Sequence, residues 1–481
     1  MDEYKLFVQR IGLVGITNIL ISLSSLILVP VLSKNLSIQD YGVWSLFIAT
    51  VAFIPLLVNL GLPYSMLRFL AVEHDKKIIR EEFYSITFVL LIMGLITLFI
   101  MLLFSKQLAL VLFNGNTGIT IILAVTVFVS IMISSFFTYF RTYQQMKIFS
   151  VLSLIQTYFM VFLVVIFIQL DYKITGIVFG YLLAQILVAI SALIFIIHQI
   201  GFNIPKFKKI RDYLSFGIPT VPSNLSTYTV DLSDRYVIGI ILGTTYVGYY
   251  SPGYTLGNII AMFMAPFAFL LPSLLSSYYD QNKLEEVNLH LQYSLKYFLL
   301  VAIPATFGLS LLSEPLLTLL STAEIAKNGY LITPFVALSA CLVGIYGIIS
   351  QILALKKKTK IIGTMWIIAA VLNIILNIIF VPLYGIIAAA ITTLIAYAFT
   401  CAAAIFYSNK YIKVHFDLKF ILKSIFASII MSSVILYIKP VSVVWILITI
   451  FISSLVYMVV IILLKGISMK EFEFFKKLLR V

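Results

Sequence analysis

The sequence predicts an all-α polytopic membrane protein of about 14 transmembrane helices, arranged as two pseudo-symmetric six-helix lobes plus two C-terminal helices. Composition is the first ground. Of 481 residues, 62% are hydrophobic and 11% charged, and mean hydropathy is +1.10, whereas soluble domains sit near 45–50% apolar and about 25% charged. Apolar runs of spanning length, separated by short charged loops, are the second. The third is an internal likeness: LSKNLSIQDYGVWSLF (32–47) resembles IGIILGTTYVGYYSPG (238–253), with Gly248 against Gly42, an offset of about 206, and FIQLDYKITG (167–176) resembles FVPLYG (380–385), an offset of about 213. Similar offsets in two places argue for a duplicated six-span unit. The implied division is 1–200 for spans 1–6, 201–412 for spans 7–12, and 413–481 for spans 13 and 14 with a tail.

Each span needs roughly 20 apolar residues. The first six read as 12–32, 41–70 (interrupted at Gly61-Leu62-Pro63), 83–104, 118–139, 149–170 and 174–197. A basic linker, HQIGFNIPKFKKIRDY, leads to the seventh, 213–242. The remainder read as 246–278, 293–312, 330–355, 361–382, 385–407, 420–438 and 441–464. The tail KGISMKEFEFFKKLLRV has the basic amphipathic pattern of a surface-lying segment.

Charge tests this map. With both termini cytoplasmic, about 26 of the 33 Lys and Arg residues fall in cytoplasmic segments, and only Lys34, Lys106, Lys173, Lys327 and Lys439 fall outside. That excess is what the positive-inside rule demands. It also accounts for the net charge of +14 without nucleic acid as a partner. The location expected is therefore a cell (plasma or inner) membrane. The start MDEYKLFVQR is too polar for a cleavable signal. Cys341 and Cys401 lie in apolar runs and have no disulfide or metal spacing. The four histidines fall in or near cytoplasmic loops, against a buried histidine proton relay. No loop is long enough to fold as a domain, and no nucleotide-binding motif is present, so the expectation is transport, with no enzyme activity and no cofactor.

One stretch departs from the apolar pattern. Residues 213–258 carry Asp231, Asp234 and Arg235 within a span, with Pro219 and Pro222 a few turns earlier. Each charge costs roughly 2.5–3.5 kcal/mol on insertion scales. A helix broken by proline, with ionisable groups near mid-membrane, is where transporters keep their sites. Asp231 and Arg235 are spaced i, i+4 and can pair on one face. One reading is an ion pair that lets a cavity-facing helix insert. The other has Arg235 holding an anionic cargo while Asp231 and Asp234 carry a coupling H+ or Na+. Both turn this face away from lipid.

DRYVIGIILGTTYVGYY resembles the seventh-to-eighth span motif of polysaccharide transporters in the multidrug/oligosaccharidyl-lipid/polysaccharide flippase superfamily. LSIQDYGVWSL and NLGLPYSMLRFLA resemble that family's second span, and LNIILNIIFVPLYGIIAAAITTLIAY its eleventh and twelfth. The resemblance covers nearly the whole chain. It implies a flippase moving a polyprenyl-(di)phosphate-linked oligosaccharide to the outer leaflet for surface glycan assembly, with membrane lipids and glycan-assembly enzymes as further partners. A phosphate suits the guanidinium fork, which nominates Arg235, with Arg68 and Arg141 near the cytoplasmic ends of spans 2 and 4 for first capture. Sugars suit hydroxyl, amide and aromatic groups, which nominates Tyr228, Asn224 and Asn377, although such groups also serve interhelical hydrogen bonding. The alternatives are a cation-coupled small-molecule (multidrug) exporter of the same superfamily and a membrane polysaccharide polymerase or ligase.

Overall fold

The computed structural model describes residues 2–73, 75–414 and 416–466. The amphipathic reading of the tail lies outside them. Among the described residues every regular element is helical. Fourteen long helices are labelled in chain order: α1 Asp2–Ser33, α2 Ile38–Val58, α3 Lys76–Leu103, α4 Thr117–Thr142, α5 Met146–Gln169, α6 Lys173–Ile200, α7 Val221–Ile241, α8 Thr244–Asp280, α9 Leu284–Leu311, α10 Ile332–Leu355, α11 Thr359–Tyr384, α12 Ile386–Ser408, α13 Leu418–Ile438 and α14 Val443–Leu463. Thirteen are long and apolar enough to cross a membrane. The exception is α7, whose hydroxyls and charges dilute its apolar content. The chain is a multi-pass membrane protein.

Several helices outrun their apolar stretches. α3 starts at Lys76, where Asp75 caps the Lys77 N–H, and α9 starts at Leu284 with Glu285 and Glu286 in its first turn. Acidic groups at a helix start are favoured by the exposed N–H groups and the dipole, so both helices continue through residues that read as loop. The expected interruption of the second span is present: α2 ends at Val58 and a separate helix, Leu62–Phe69, begins after Gly61, which is left-handed at φ 67°.

The chain forms two compact units. One comprises Met1–Ser251 and Trp366–Thr392, the other Pro252–Met365 and Thr393–Val481. These are units of packing, a different property from the repeat expected in the sequence. In the first, α4 is central: α2, α3 and α6 all pack on it, α5 packs on α6 and α1, and α7 lies against α2. In the second, α9 packs on α10 and α13, and α13 on α14. That core gathers Leu271, Leu295, Phe298, Ile348, Met431 and Tyr457.

Candidate functional site

The site residues expected on the seventh span fall into order once α7 is seen as a helix. The span is broken where expected, between a helix Ile210–Gly217 and α7, by Pro219 and Pro222. They stand at the starts of a single 3-10 turn, Ile218–Thr220, and of α7 itself. At a first helical position proline is tolerated because the N–H it lacks has no intrahelical partner. From Pro222 the helix runs unbroken to Ile241. α8 is irregular as well: Asn258–Met264 forms a seven-residue 3-10 stretch between Pro252 and Pro266.

Asn224, Tyr228, Asp231 and Arg235 are spaced i, i+4, i+7 and i+11, which stacks them on one face of α7. Tyr228 is 41% exposed. Asn224 donates to the Thr220 carbonyl at 3.0 Å. The adjoining stripe, Ser226, Val230, Asp234 and Ile238, is buried.

Asp234 and Arg235 are held firmly. The Asp234 carboxylate is 0% exposed. It accepts the Arg235 backbone N–H at 2.8 Å, the Tyr250 hydroxyl, and the charge of the Arg235 guanidinium at 3.6 Å. The Arg235 side chain, 11% exposed, also donates from Nη1 to the Asp231 carbonyl oxygen at 2.9 Å. Asp234 and Arg235, neighbours in sequence, therefore form an ion pair that the i, i+4 spacing did not suggest.

Three neighbouring helices fix α7. Tyr236 donates to Thr50 on α2 at 2.9 Å, and Tyr250 on α8 reaches Asp234. Ser233 donates to Asn373 Oδ1 on α11 at 2.7 Å. The same oxygen accepts from Asn377 at 3.1 Å, and Asn377 Oδ1 accepts from Thr392 at 2.9 Å. Asn377 is thus fully buried inside a chain of interhelical bonds. Arg68 closes the helix Leu62–Phe69 and Arg141 lies in the last turn of α4, both exposed. The structure brings five of the eight candidate residues together on α7, links Asn377 to them through Asn373, and leaves Arg68 and Arg141 at helix ends.

Where α2 meets the first turns of α8 the contact is reciprocal. A side chain on Gly42 would collide with the Thr244 carbonyl, and one on Gly248 with the Ile38 carbonyl. Gly248 is Gly42 displaced by 206 residues, and Thr244 is Ile38 displaced by 206. Between them Ser45 and Ser251, again 206 apart, share a hydrogen bond of 2.7 Å. Residue i touching j′ while i′ touches j is the signature of a two-fold axis. At the other end of α2, Gly61 approaches Gly217 backbone to backbone, and Ser65 donates to the Tyr213 carbonyl at 2.6 Å.

Tyr250, Ser233 and Thr392 were not singled out from the sequence, although hairpin arithmetic could have found two of them. Asp234 and Tyr250 are each eight residues from Leu242, beside the turn at Gly243 (φ 98°), and Asn377 and Thr392 lie eight and seven residues from the turn at Gly385 (φ 68°). Polar residues equidistant from a tight turn reach the same depth. Tyr250→Phe removes a donor from a buried carboxylate, an expected loss of about 1–3 kcal/mol, seen as a lower melting temperature in detergent. An unchanged melting temperature would show that Asp234 does not need the hydroxyl.

A family model described as polysaccharide biosynthesis protein matches residues 7–277, more than half of the chain, and a MatE model matches 219–379. The probable low-salt glycan biosynthesis flippase Agl15 of Haloferax volcanii is 24% identical over 273 residues, 56% of this chain and 58% of that protein; the match spans little more than half of the relative's length. Among solved structures, the lipid II flippase MurJ in an inward closed conformation superposes with a TM-score of 0.75 at 22% identity, covering 94% of this chain and 98% of that one. An inward-facing multidrug resistance MATE transporter superposes at 0.67 and 14% identity, covering 82% and 94%. The fold is that of these transporters. By the extent of its match, the chain belongs to the polysaccharide biosynthesis protein family, within the multidrug/oligosaccharidyl-lipid/polysaccharide flippase superfamily.

Proposed function

We propose that the protein is a non-enzymatic flippase. It carries a polyprenyl-(di)phosphate-linked oligosaccharide from the inner to the outer leaflet by alternating access of two repeated lobes. The observation that carries this reading is the polar surface of α7: a guanidinium, a carboxylate, a tyrosine and an amide on one face, with the buried Asp234 on the stripe beside it, on a helix packed into a membrane protein of this family. Such groups persist in a span only where they face a cavity or one another. The glycan flippase name of the Haloferax relative and the lipid II flippase fold support a cargo of that chemistry. Arg235 takes the phosphate, Tyr228 and Asn224 the sugar, and Arg68 and Arg141 the headgroup as it leaves the inner leaflet. Asp231 and Asp234 are the groups for a coupling H+ or Na+. Cells lacking the protein are expected to accumulate the lipid-linked glycan in the inner leaflet, and proteoliposomes containing it to expose that lipid to an external glycan-modifying enzyme. Equal exposure in protein-free liposomes would remove the reading.

The MATE-like neighbours and the MatE match favour a second reading, a cation-coupled small-molecule exporter. Proteoliposomes separate the two: export of an organic cation down an imposed H+ or Na+ gradient, without movement of a lipid-linked glycan, establishes the exporter.

Topology follows from the lysine and arginine distribution, with both termini cytoplasmic. Lys439, exposed in the turn between α13 and α14, and Lys357, exposed between α10 and α11, lie on opposite faces of the membrane. In intact cells an impermeant maleimide is expected to label Lys439→Cys, and to label Lys357→Cys only after permeabilisation. The native Cys341 and Cys401 are buried. The reverse pattern overturns the orientation.

A further inference from the structure

The first unit contains an apolar groove of about 710 Å³ that plays no part in the site on α7. It lies between α3 and α6 with α4 as its floor, and it is lined by Phe88, Leu91, Phe128, Met132, Ile190 and Leu193. Its size is that of a ligand site, about 300–1,000 Å³. The groove side of α4 carries Phe128, Met132 and Phe136. Ser134, which accepts a hydrogen bond from Asn59 just beyond α2, is on the opposite side by helix geometry. The groove therefore opens away from α2.

One end of the groove is built by the linker that follows α6. Residues 201–207 run as a strap along α3. Tyr84 donates to the Gly201 carbonyl at 2.9 Å, and the Ser85 hydroxyl accepts the backbone N–H groups of Lys206 and Phe207 at 3.1 and 3.2 Å. Phe202 and Ile204 of the strap line the groove, yet are 71% and 73% exposed. One helical turn beyond Tyr84 stands Arg80. Its Nε is buried with no hydrogen-bond partner, its Nη1 lies beside Gly201, and among the described residues it has no ion pair. Of the nearby carboxylates, Glu81 pairs with Lys206 at 2.5 Å, and Glu82 is buried and bonded to Tyr213, with its Oε2 unpartnered. Lys208 and Lys209 are exposed on the strap's continuation.

A guanidinium one helical turn beyond the lining of an apolar groove, with exposed lysines on the strap's continuation, matches an anionic amphiphile. We propose that the groove is a binding site for one resident anionic phospholipid, its phosphate on Arg80 and one hydrocarbon chain along α4 between α3 and α6. Basic pockets between membrane helices at the headgroup level recognise acidic lipids in this way. The occupant is a structural lipid and not the transported one, because the groove faces away from α2, the helix on which α7 lies. The proposal does not depend on the function argued above.

The test is native mass spectrometry of the whole detergent-solubilised protein, titrated with equimolar phosphatidylglycerol and phosphatidylcholine. The wild type is expected to retain one phosphatidylglycerol in preference to phosphatidylcholine. Arg80→Gln should reduce that preference by about fivefold, the worth of one basic residue at an anionic headgroup. Ala189→Phe, which fills the groove from α6, should reduce retention of both lipids; Ile190→Trp fills it from the rim should the first variant fail to accumulate. Equal retention of the two lipids by the wild type, or retention unaffected by Arg80→Gln and both groove fillings, overturns the proposal. Displacement of phosphatidylglycerol by an equimolar polyprenyl phosphate also overturns it, since the groove would then belong to the cargo's chain.

Discussion

Replacing Ser45 and Ser251 together by cysteine is expected to abolish transport under oxidising conditions and to restore it fully on reduction. Their hydroxyl oxygens stand 2.7 Å apart, which brings the two Cβ atoms close to the separation of a disulfide, about 3.5–4.5 Å. They sit on the local two-fold axis between Gly42 and Gly248, where α2 and the start of α8 touch backbone to backbone. If access alternates, this contact must open once in every cycle, and a covalent bond across it stops the cycle. Either serine-to-cysteine change alone should be harmless, since each replaces a small group by another, and Cys341 and Cys401 are buried away from the oxidant. A cross-linked protein that still transports would show that the contact is a static joint. A lesser version is Gly248→Ala: its Cβ meets the Ile38 carbonyl, and overpacking of this kind costs about 1–3 kcal/mol.

The helices and their number were legible because each rests on a local property. Twenty apolar residues span a bilayer whatever surrounds them. Helix ends were less legible. α3 and α9 continue through KKIIREE and LEEVNLH because capping and the helix dipole, not apolar content, decide where a helix begins at the headgroup level. The prolines marked a break correctly in one place and were passed over in another. Pro219 and Pro222 mark the 3-10 turn that divides the seventh span, while the 3-10 stretch that interrupts α8 lies between Pro252 and Pro266, in a run that reads as uninterrupted. The glycine pair was visible as a repeat, but not its meaning: offset alone cannot show that Gly42 and Gly248 meet across an axis. Side-chain partners were the least legible. Spacing placed Asp231 against Arg235, since i, i+4 neighbours can meet. The fold also buried Asp234 beside Tyr250, within reach of the same guanidinium.

That geometry sharpens what Arg235 can be doing. If it binds the phosphate of the cargo, Arg235→Lys should keep only part of the activity, because a point charge replaces a bidentate fork. Arg235→Ala should abolish flipping while the protein still inserts and accumulates. The competing role is that of a counter-ion. Arg235 lies 3.6 Å from a fully buried carboxylate, and removing one partner of a buried pair costs about 3–5 kcal/mol because the other charge is left behind. Loss of activity in Arg235→Ala alone therefore does not separate the two. The double change Asp234→Asn with Arg235→Gln does, since it removes both charges and keeps side chains of similar size that can still take the Tyr250 and backbone bonds. The expected result is a protein of normal abundance and normal melting temperature that does not flip its lipid, measured by surface-glycan complementation normalised to protein level. Recovery of transport in the double variant would make Arg235 the counter-ion of Asp234 and move the phosphate site to another cation.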